Sequence, residues 1–413
     1  MNILFVHQNF PAQFKHLAPR LLENGHDVRV LRFGAERAKN LISIKEYSCN
    51  FNNVKNTASH PWVTDIESKI IRADACYKYA KQLRESGYLP DRIIAHPGWG
   101  ESLFLKEVWP KARLGIYCEF YYSFSGLDLG FDPEFKTDAA DDACRTKLLN
   151  FHLDLQFETA DDAISPTRWQ ADTFPEHARG RISVLHEGID TETACPDRSA
   201  QLTFRSGETL SAEDEIITFV ARNLEPYRGY HTFVRSIPKV LSKNTKARVI
   251  IVGDDKDGGY GPKPPQEQFG DLSWKQIFLR EIGDSLTADM RSRIHFAGRV
   301  PHAYLIKILQ ISSAHVYLTY PFVLSWSFLE AMSIGCPIVA SETGPLAEVV
   351  QDGHNAIYTD FFDTDQLADR ILSLLSDKQL ASTLGAAGRQ FVIDNYDLQK
   401  KCLPNQVRWV EGF

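Results

Sequence analysis

The chain reads as an α/β protein made of two doubly wound, parallel-sheet halves, and three observations predict this. Short strand patterns rich in Val, Ile and Leu alternate with longer helical patterns along most of the sequence. The alternation lapses between Asp190 and Asp214, where Pro, Ser, Gly, Glu and Thr replace any apolar period. At 413 residues, each half is long enough to bury its own core. The expected boundaries are 1–189 for the first domain, 190–214 for a hinge or linker, 215–390 for the second domain and 391–413 for a terminal helical segment.

Composition narrows the class. Hydrophobic residues make up 43% and charged residues 24%, ordinary values for a globular protein. A net charge of −7 gives no general attraction to nucleic acid or anionic lipid. The seven cysteines are scattered and never form a C-x-x-C pair, which fits a reducing compartment and argues against a zinc site or disulfide framework. The opening MNILFVHQNF reads as a strand and not as a signal peptide, and no apolar run reaches bilayer length. The expectation is a cytoplasmic chain with no nucleic-acid partner and at most weak peripheral membrane contact.

Strand Asn2 to His7 leads through a loop, Gln8 to Pro11, into a helix whose apolar face is Phe14, Leu17, Ala18, Leu21 and Leu22. Pro19 inside that pattern predicts a kink or a late helix start. Gly25 ends the helix, and Val28 to Phe33 is the next strand. Residues 37 to 59 have weak periodicity. The cations Arg32, Arg37, Lys39 and Lys45 there suit either an anionic acceptor or membrane, or a merely solvated face. A long helix over Trp62 to Glu85 follows, then DRIIAHPGWGE as strand, tight turn and helix. His96 at that strand's carboxyl end is either a contact to a substrate hydroxyl or a polar turn residue. Strand Arg113 to Cys118 runs into EFYYSFSGLDLGFDPEF. Aromatics in this stretch stack on a sugar ring or pack on one another, and Glu119, Asp128 and Asp132 are placed to take hydroxyls. Helix Ala139 to Ala160, strand Ala163 to Ser165 and helix Thr167 to Phe174 complete the half.

The second half restarts with strand Ile216 to Arg222, helix Tyr230 to Leu241 and strand Arg248 to Val252. A polar loop, Gly253 to Gly270, precedes helix Trp274 to Ile282, strand Ile294 to Ala297 and helix His302 to Ile311. In FVARNLEPYRGYHTF, Arg222 and Arg228 lie just past a strand. Guanidinium forks there suit a diphosphate, or pair with Glu225 and other carboxylates. The stretch YLTYPFVLSWSFLEAMSIGCPIVASETGPLAEVVQDG then gives strand, loop, helix, strand and short helix. Its first helix starts at Ser325 or Ser327, where Ser327 and Glu330 form an S-x-x-E capping box, and its free N–H groups face an anion at the sheet edge. Glu330 either closes that box or sits beside whatever carries the anion. Leu380 to Phe413 reads mainly helical.

These motifs carry a resemblance. RNLEPYRG and LEAMSIGCPIVAS, with Glu348 following, resemble the nucleotide-sugar signature of the retaining glycosyltransferases of family four, which have the GT-B fold. SPTRW and VLHEGID also resemble family segments, and the resemblance covers nearly the whole chain. It implies two Rossmann-like domains facing a central cleft, an acceptor-binding first domain, a donor-binding second domain, and a terminal helix that crosses back to the first and buries Trp409. It implies that Arg222 and Arg228 neutralise the leaving nucleoside diphosphate and that His96 serves the reacting sugar. It assigns the nucleotide to Glu330 on the ribose, to Leu324, Ser325 and Trp326, and to the turn Gly298, Arg299 and Val300 near the base. Gly344 and Glu348 match its later G-x-x-x-E.

Two positions depart from the pattern. The family spaces a Glu-x7-Glu pair across loop and helix; Glu330 matches the second, and Phe322 stands where the first belongs. In order of expectation, Glu119 or a backbone amide of Val323 to Ser325 substitutes, the donor sugar differs, or activity is lost. Ala12 stands where the family has glycine close to the donor. The resemblance thus implies a metal-independent, retaining transfer of a sugar from a nucleoside diphosphate sugar to an acceptor hydroxyl, with no cofactor and no enzymic nucleophile, in bacterial-type glycan or glycoconjugate biosynthesis. A glycan, a lipid-linked glycan, a small molecule and a protein are all admissible acceptors. The alternatives are a non-catalytic nucleotide-sugar binder and a GT-B epimerase. A phosphorylase lacks its pyridoxal lysine motif, and an NAD enzyme lacks G-x-G-x-x-G after the first strand.

Overall fold

The computed structural model describes residues 1–33, 44–49, 60, 62–135, 139–204, 207–255 and 259–413, without the side chains of 139–142. Arg37 and Lys39 of the basic cluster lie outside these residues. The chain forms two compact units, Met1–Gly188 with Leu398–Phe413, and Ile189–Asp397.

The first unit carries seven parallel strands: β1 (Asn2–Val6), β2 (Asp27–Phe33), β3 (Lys45–Cys49), β4 (Arg92–Ala95), β5 (Arg113–Tyr117), β6 (Asp162–Ser165) and β7 (Ile182–Val184). Their order is β3-β2-β1-β4-β5-β6-β7. Ile3 to Val6 of β1 are fully buried, as expected of a strand covered on both faces. The order reverses between β1 and β4, so the loops after these two strands frame the crevice where such sheets bind ligands. Strand β3 falls within 37–59, the segment of weak periodicity, where no strand was expected. Its KEYSC is largely polar, and only pairing with β2 makes it a strand. The expected helix after HPGWGE is reduced to a 3-10 turn (Pro97–Trp99) and one helical turn, Leu105–Val108. Pro19 falls in the first turn of a helix that starts at Leu17. The terminal helix Leu403–Gly412 packs on this unit, with Trp409 buried in the same core as Ile3 and Phe5 and its Nε1 donating to Asp162 Oδ1 at 2.8 Å.

The second unit opens with an antiparallel hairpin, β8 (Gln201–Thr203) and β9 (Thr209–Ser211). The main sheet holds β10 (Ile216–Asn223), β11 (Arg248–Asp254), β12 (Ile294–Gly298), β13 (Ala314–Tyr317), β14 (Ile338–Ser341) and β15 (Ile357–Thr359), in the order β12-β11-β10-β13-β14-β15. All five pairings are parallel. Here the order reverses between β10 and β13. The hairpin corrects the reading of 190–214 as a linker: Ala194, Ala200, Leu202 and Leu210 are buried in the same core as Phe328 and Met332. A strand with one inward residue offers no period to read. The second unit also runs on to Asp397 instead of ending at 390, because the helix Lys378–Tyr396 keeps Val392 and Tyr396 in its core.

Candidate functional site

In the second unit, the loops after β10 and β13 meet around Arg228. Residues Pro226–Arg228 form a 3-10 turn that ends on Gly229, whose φ is +65°. A side chain at Gly229 would lie 2.3 Å from Leu318 Cβ, so the turn needs glycine on both grounds. The turn drives Arg228 inward to 7% exposure. Its Nη1 donates to Thr319 Oγ1 at 3.0 Å, Tyr317 Oη at 3.3 Å and the Val323 carbonyl at 3.5 Å. Among the described residues, no carboxylate lies within 4.0 Å of this guanidinium. A buried cation held only by neutral acceptors is unusual, since burial is costly for a charge without a counter-ion.

Two rings cover Arg228: Tyr260 with its centroid 5.2 Å from the guanidinium carbon, and Phe322 at 5.9 Å. These rings are 4.9 Å apart, and Phe322 also meets Tyr227 edge-on at 5.9 Å. Tyr260 is held there by Glu225, whose carboxylate accepts from the backbone N–H of Tyr260 at 3.1 Å and of Gly261 at 3.4 Å. A side chain at Gly259 would strike that carboxylate at 1.7 Å. Burial raises the Glu225 pKa, against the pull of those two amides and of Arg228 and Arg222. Phe322 is 4% exposed and lies against Arg228. The sequence pattern missed Tyr260, which falls in a polar loop without periodicity. Arg222 follows a break in β10 register after Val220 and is exposed; both arginines act on Glu225, pulling its pKa down.

The helix Trp326–Ile334 begins one residue after Ser325, its N-cap. The expected capping box is absent. Ser325 makes no side-chain cap, its Oγ instead lies 2.8 Å from Ser327 Oγ, and its N–H donates to Tyr317 Oη at 3.3 Å. Tyr317 thus ties this helix start to Arg228. Leu324 is buried, and Trp326 is half-buried against the core. Glu330 is buried and turned toward His302, with Oε1 2.7 Å from Nε2. His302 opens the helix His302–Gln310 directly after Gly298, Arg299 and Val300, so Glu330 and the turn at 298–300 come together through it. Gly298 has φ +65°, Arg299 is exposed and Val300 packs on the core. The sequence showed His302 only as a helix start. Glu348 is exposed on the 3-10 turn Gly344–Glu348, which replaces the expected short helix. A pocket of about 780 Å³ in this unit is lined by Asn223, Glu225, Asp254, Asp255, Lys263 and Trp274 among others, and by none of the residues expected to hold the nucleotide.

In the first unit, the loops after β1 and β4 bring His7 and His96 to a ring-centroid distance of 5.2 Å, with Trp99 against both. His96 is 4% exposed, stacks on Tyr117 and lies 3.6 Å from Glu119, which follows β5. Gln13 bridges His7 and Glu119, with bonds of 2.9 and 3.0 Å. Burial, and then His96, hold His7 down at about 3, so His7 is neutral. Ala12 begins the 3-10 turn Ala12–Phe14 with φ +36°, a left-handed backbone that suits glycine better. Glu101, on the same loop as His96, is buried with neither oxygen reaching another residue's donor among the described residues, and burial pushes its carboxyl up to about 7. Sequence reasoning placed His96 and Glu119 and missed His7 and Gln13, which look like an ordinary strand end and loop.

Two Rossmann-like units with chemistry-bearing loops at each sheet's reversal point define the GT-B class of glycosyltransferases. The family described as glycosyl transferase family 4 group matches residues 24–194, and that described as glycosyl transferases group 1 matches residues 203–391. The chain belongs to the family-four glycosyltransferases.

Among curated relatives, it is similar to the GDP-mannose-dependent alpha-(1-6)-phosphatidylinositol monomannoside mannosyltransferase of Mycolicibacterium smegmatis, 26% identical over 51% of this chain and 52% of that protein. It is also similar to spore coat protein SA of Bacillus subtilis, 26% identical over 59% of this chain and 62% of that protein. The first of these matches thus spans about half of the relative's length. In fold it is similar to Anabaena HepE, solved with UDP and glucose, with a TM-score of 0.71 at 16% identity over 100% of both chains. It is also similar to WaaG, a glycosyltransferase of lipopolysaccharide biosynthesis, with a TM-score of 0.67 at 15% identity over 100% of both chains. No helix among the described residues is long and apolar enough to cross a membrane.

Proposed function

We propose that this chain moves a sugar from a nucleoside diphosphate sugar to an acceptor hydroxyl with retention of configuration, without a metal ion, in glycan or glycoconjugate synthesis. The second unit takes the donor and the first takes the acceptor. The observation that carries the reading is Arg228, a buried guanidinium with neutral acceptors on one edge and no carboxylate partner among the described residues, tied through Tyr317 to the start of a nine-residue helix. Such a group is suited to a diphosphate, whose developing charge it and the helix N-terminus stabilise as the sugar leaves. Arg222 adds a second, exposed cation near the carboxyl end of β10, just before that loop. Glu330 takes ribose hydroxyls, with Leu324 and Trp326 beside it and the 298–300 turn at the base. The leaving phosphate itself helps take the acceptor's proton, so no side chain is assigned as nucleophile.

HepE was solved with UDP and glucose, and the mycobacterial relative is named for GDP-mannose. The test therefore incubates the protein with UDP- and GDP-linked hexoses and follows release of nucleotide. Turnover of one donor supports the reading; no binding and no turnover of any donor overturns it. The covering of Arg228 by Phe322 and Tyr260 favours a second reading, a divergent nucleotide-sugar binder without transfer. Donor binding without release in the presence of any acceptor selects that reading.

A further inference from the structure

In the second unit, the turn that ends in Arg228 also braces the loop that carries Tyr260. The buried Glu225 carboxylate accepts from the N–H of Tyr260 at 3.1 Å and from that of Gly261 at 3.4 Å, one bond on each oxygen. A Cβ at Gly259 would come within 1.7 Å of this carboxylate, and a Cβ at Gly261 within 2.7 Å of the Tyr227 ring. Glycine stands on both sides of Tyr260 because the backbone there runs hard against the turn. Tyr227 is itself fixed: its carbonyl accepts from the Tyr320 N–H at 2.9 Å, and the two rings lie 4.6 Å apart. Tyr260 is nevertheless 44% exposed. Scattered aromatics on a surface need no explanation, but this one has its backbone held by a carboxylate that is costly to bury.

The Tyr260 ring stands 5.2 Å from the Arg228 guanidinium carbon and 4.9 Å from the Phe322 ring, and it is the exposed member of the three. A group carried on a diphosphate at Arg228 therefore meets this ring next. An aromatic face is apolar and slightly negative, which suits the C–H face of a pyranose, whose hydrogens are slightly positive. A nucleobase stacks on a ring as well. The groups assigned to the nucleoside, however, gather at His302, where Glu330 and the 298–300 turn come together, and the Tyr260 ring packs on Arg228 and Phe322 instead. We propose that Tyr260 packs against the hexose ring of the sugar nucleotide, and that Glu225 is the positioning residue that fixes Tyr260 relative to Arg228. The inference rests on the proposed function in taking Arg228 as the diphosphate group.

The test is titration calorimetry on the whole protein with UDP-glucose and GDP-mannose, each beside its free nucleoside diphosphate. It compares the wild type with Tyr260→Ala, Tyr260→Phe and Glu225→Gln. The quantity read is the ratio of sugar-nucleotide to free-nucleotide affinity, which general damage to the fold or to Arg228 would leave unmoved. Tyr260→Ala should lower that ratio about fivefold or more for the donor that binds, because the hexose loses its ring contact. Tyr260→Phe keeps the ring and should stay within about twofold of the wild type. Glu225→Gln offers one acceptor oxygen to two backbone N–H groups, so the ratio should fall in the same direction as in Tyr260→Ala. An unchanged ratio in Tyr260→Ala, whether both ligands weaken together or neither does, overturns the inference and leaves the proposed function standing. An unchanged ratio in Glu225→Gln overturns the positioning role. A wild type that binds no sugar nucleotide overturns both the inference and the proposed function.

Discussion

The Phe322 ring lies 5.9 Å from the guanidinium carbon of Arg228 and excludes water from one side of a cation that has no carboxylate partner among the described residues. The ring also packs against Tyr227 and Tyr260. Phe322→Ala removes all three contacts and opens a cavity among aromatics. We expect a stability loss of about 3 kcal/mol, read from urea unfolding. A loss below about 1 kcal/mol would show that the ring contributes little to holding the loops around Arg228.

Arg228→Ala deletes the group assigned to the leaving diphosphate and should slow nucleotide release roughly a hundred- to a thousandfold. Sequence reasoning alone would have this variant fold unchanged. The structure adds a cost, because Thr319 and Tyr317 lose a donor inside the protein. A loss of about 1–2 kcal/mol is expected in the same unfolding assay. An unchanged release rate in a folded variant would refute the phosphate role.

Glu330 presents a single carboxylate to whatever lies over the helix His302–Gln310. Replacing it by Gln keeps the shape and the option of a bond from His302, but removes the charge that ribose hydroxyls would meet. Binding of free UDP or GDP, followed by titration calorimetry, should weaken by about tenfold. Equal affinity would move the ribose elsewhere.

Glu101 gives a prediction about pH. Burial raises its carboxyl from 4.5 to about 7 in the folded chain, while the unfolded chain keeps the ordinary value. Above pH 7 both states are ionised, and the folded state bears the burial cost in full. As pH falls from 7 toward 4.5, the folded carboxyl binds a proton that the unfolded one does not, and this group's contribution becomes more favourable. Glu101→Gln should therefore stabilise the protein at pH 8 by up to roughly 3 kcal/mol, with the advantage shrinking by pH 5. Unfolding curves at the two pH values check the sign; an advantage that grows toward pH 5 contradicts it.

The sequence alone determined the alternation of strands and helices, the two parallel sheets and the positions of Arg228, Glu330, His96 and Glu119. It could do so because doubly buried strands read as short continuous apolar runs and amphipathic helices have a period, and because loop residues at strand ends sit where the sheet binds ligands. It placed the divide at 190–214, where residues with one inward side chain each carry no period, and tertiary packing drew them into the second core. Strand β3 likewise exists only because β2 lies beside it. The companions of the site were decided by the tertiary structure too. Tyr260, His302, Gln13 and His7 come from loops and element ends, and what they touch depends on chain brought in from up to 106 residues away, as with Gln13 and Glu119. Phe322 shows the division best. As a letter it was a missing carboxylate. In the fold it is a buried ring on Arg228, because only the folded loops bring the two together.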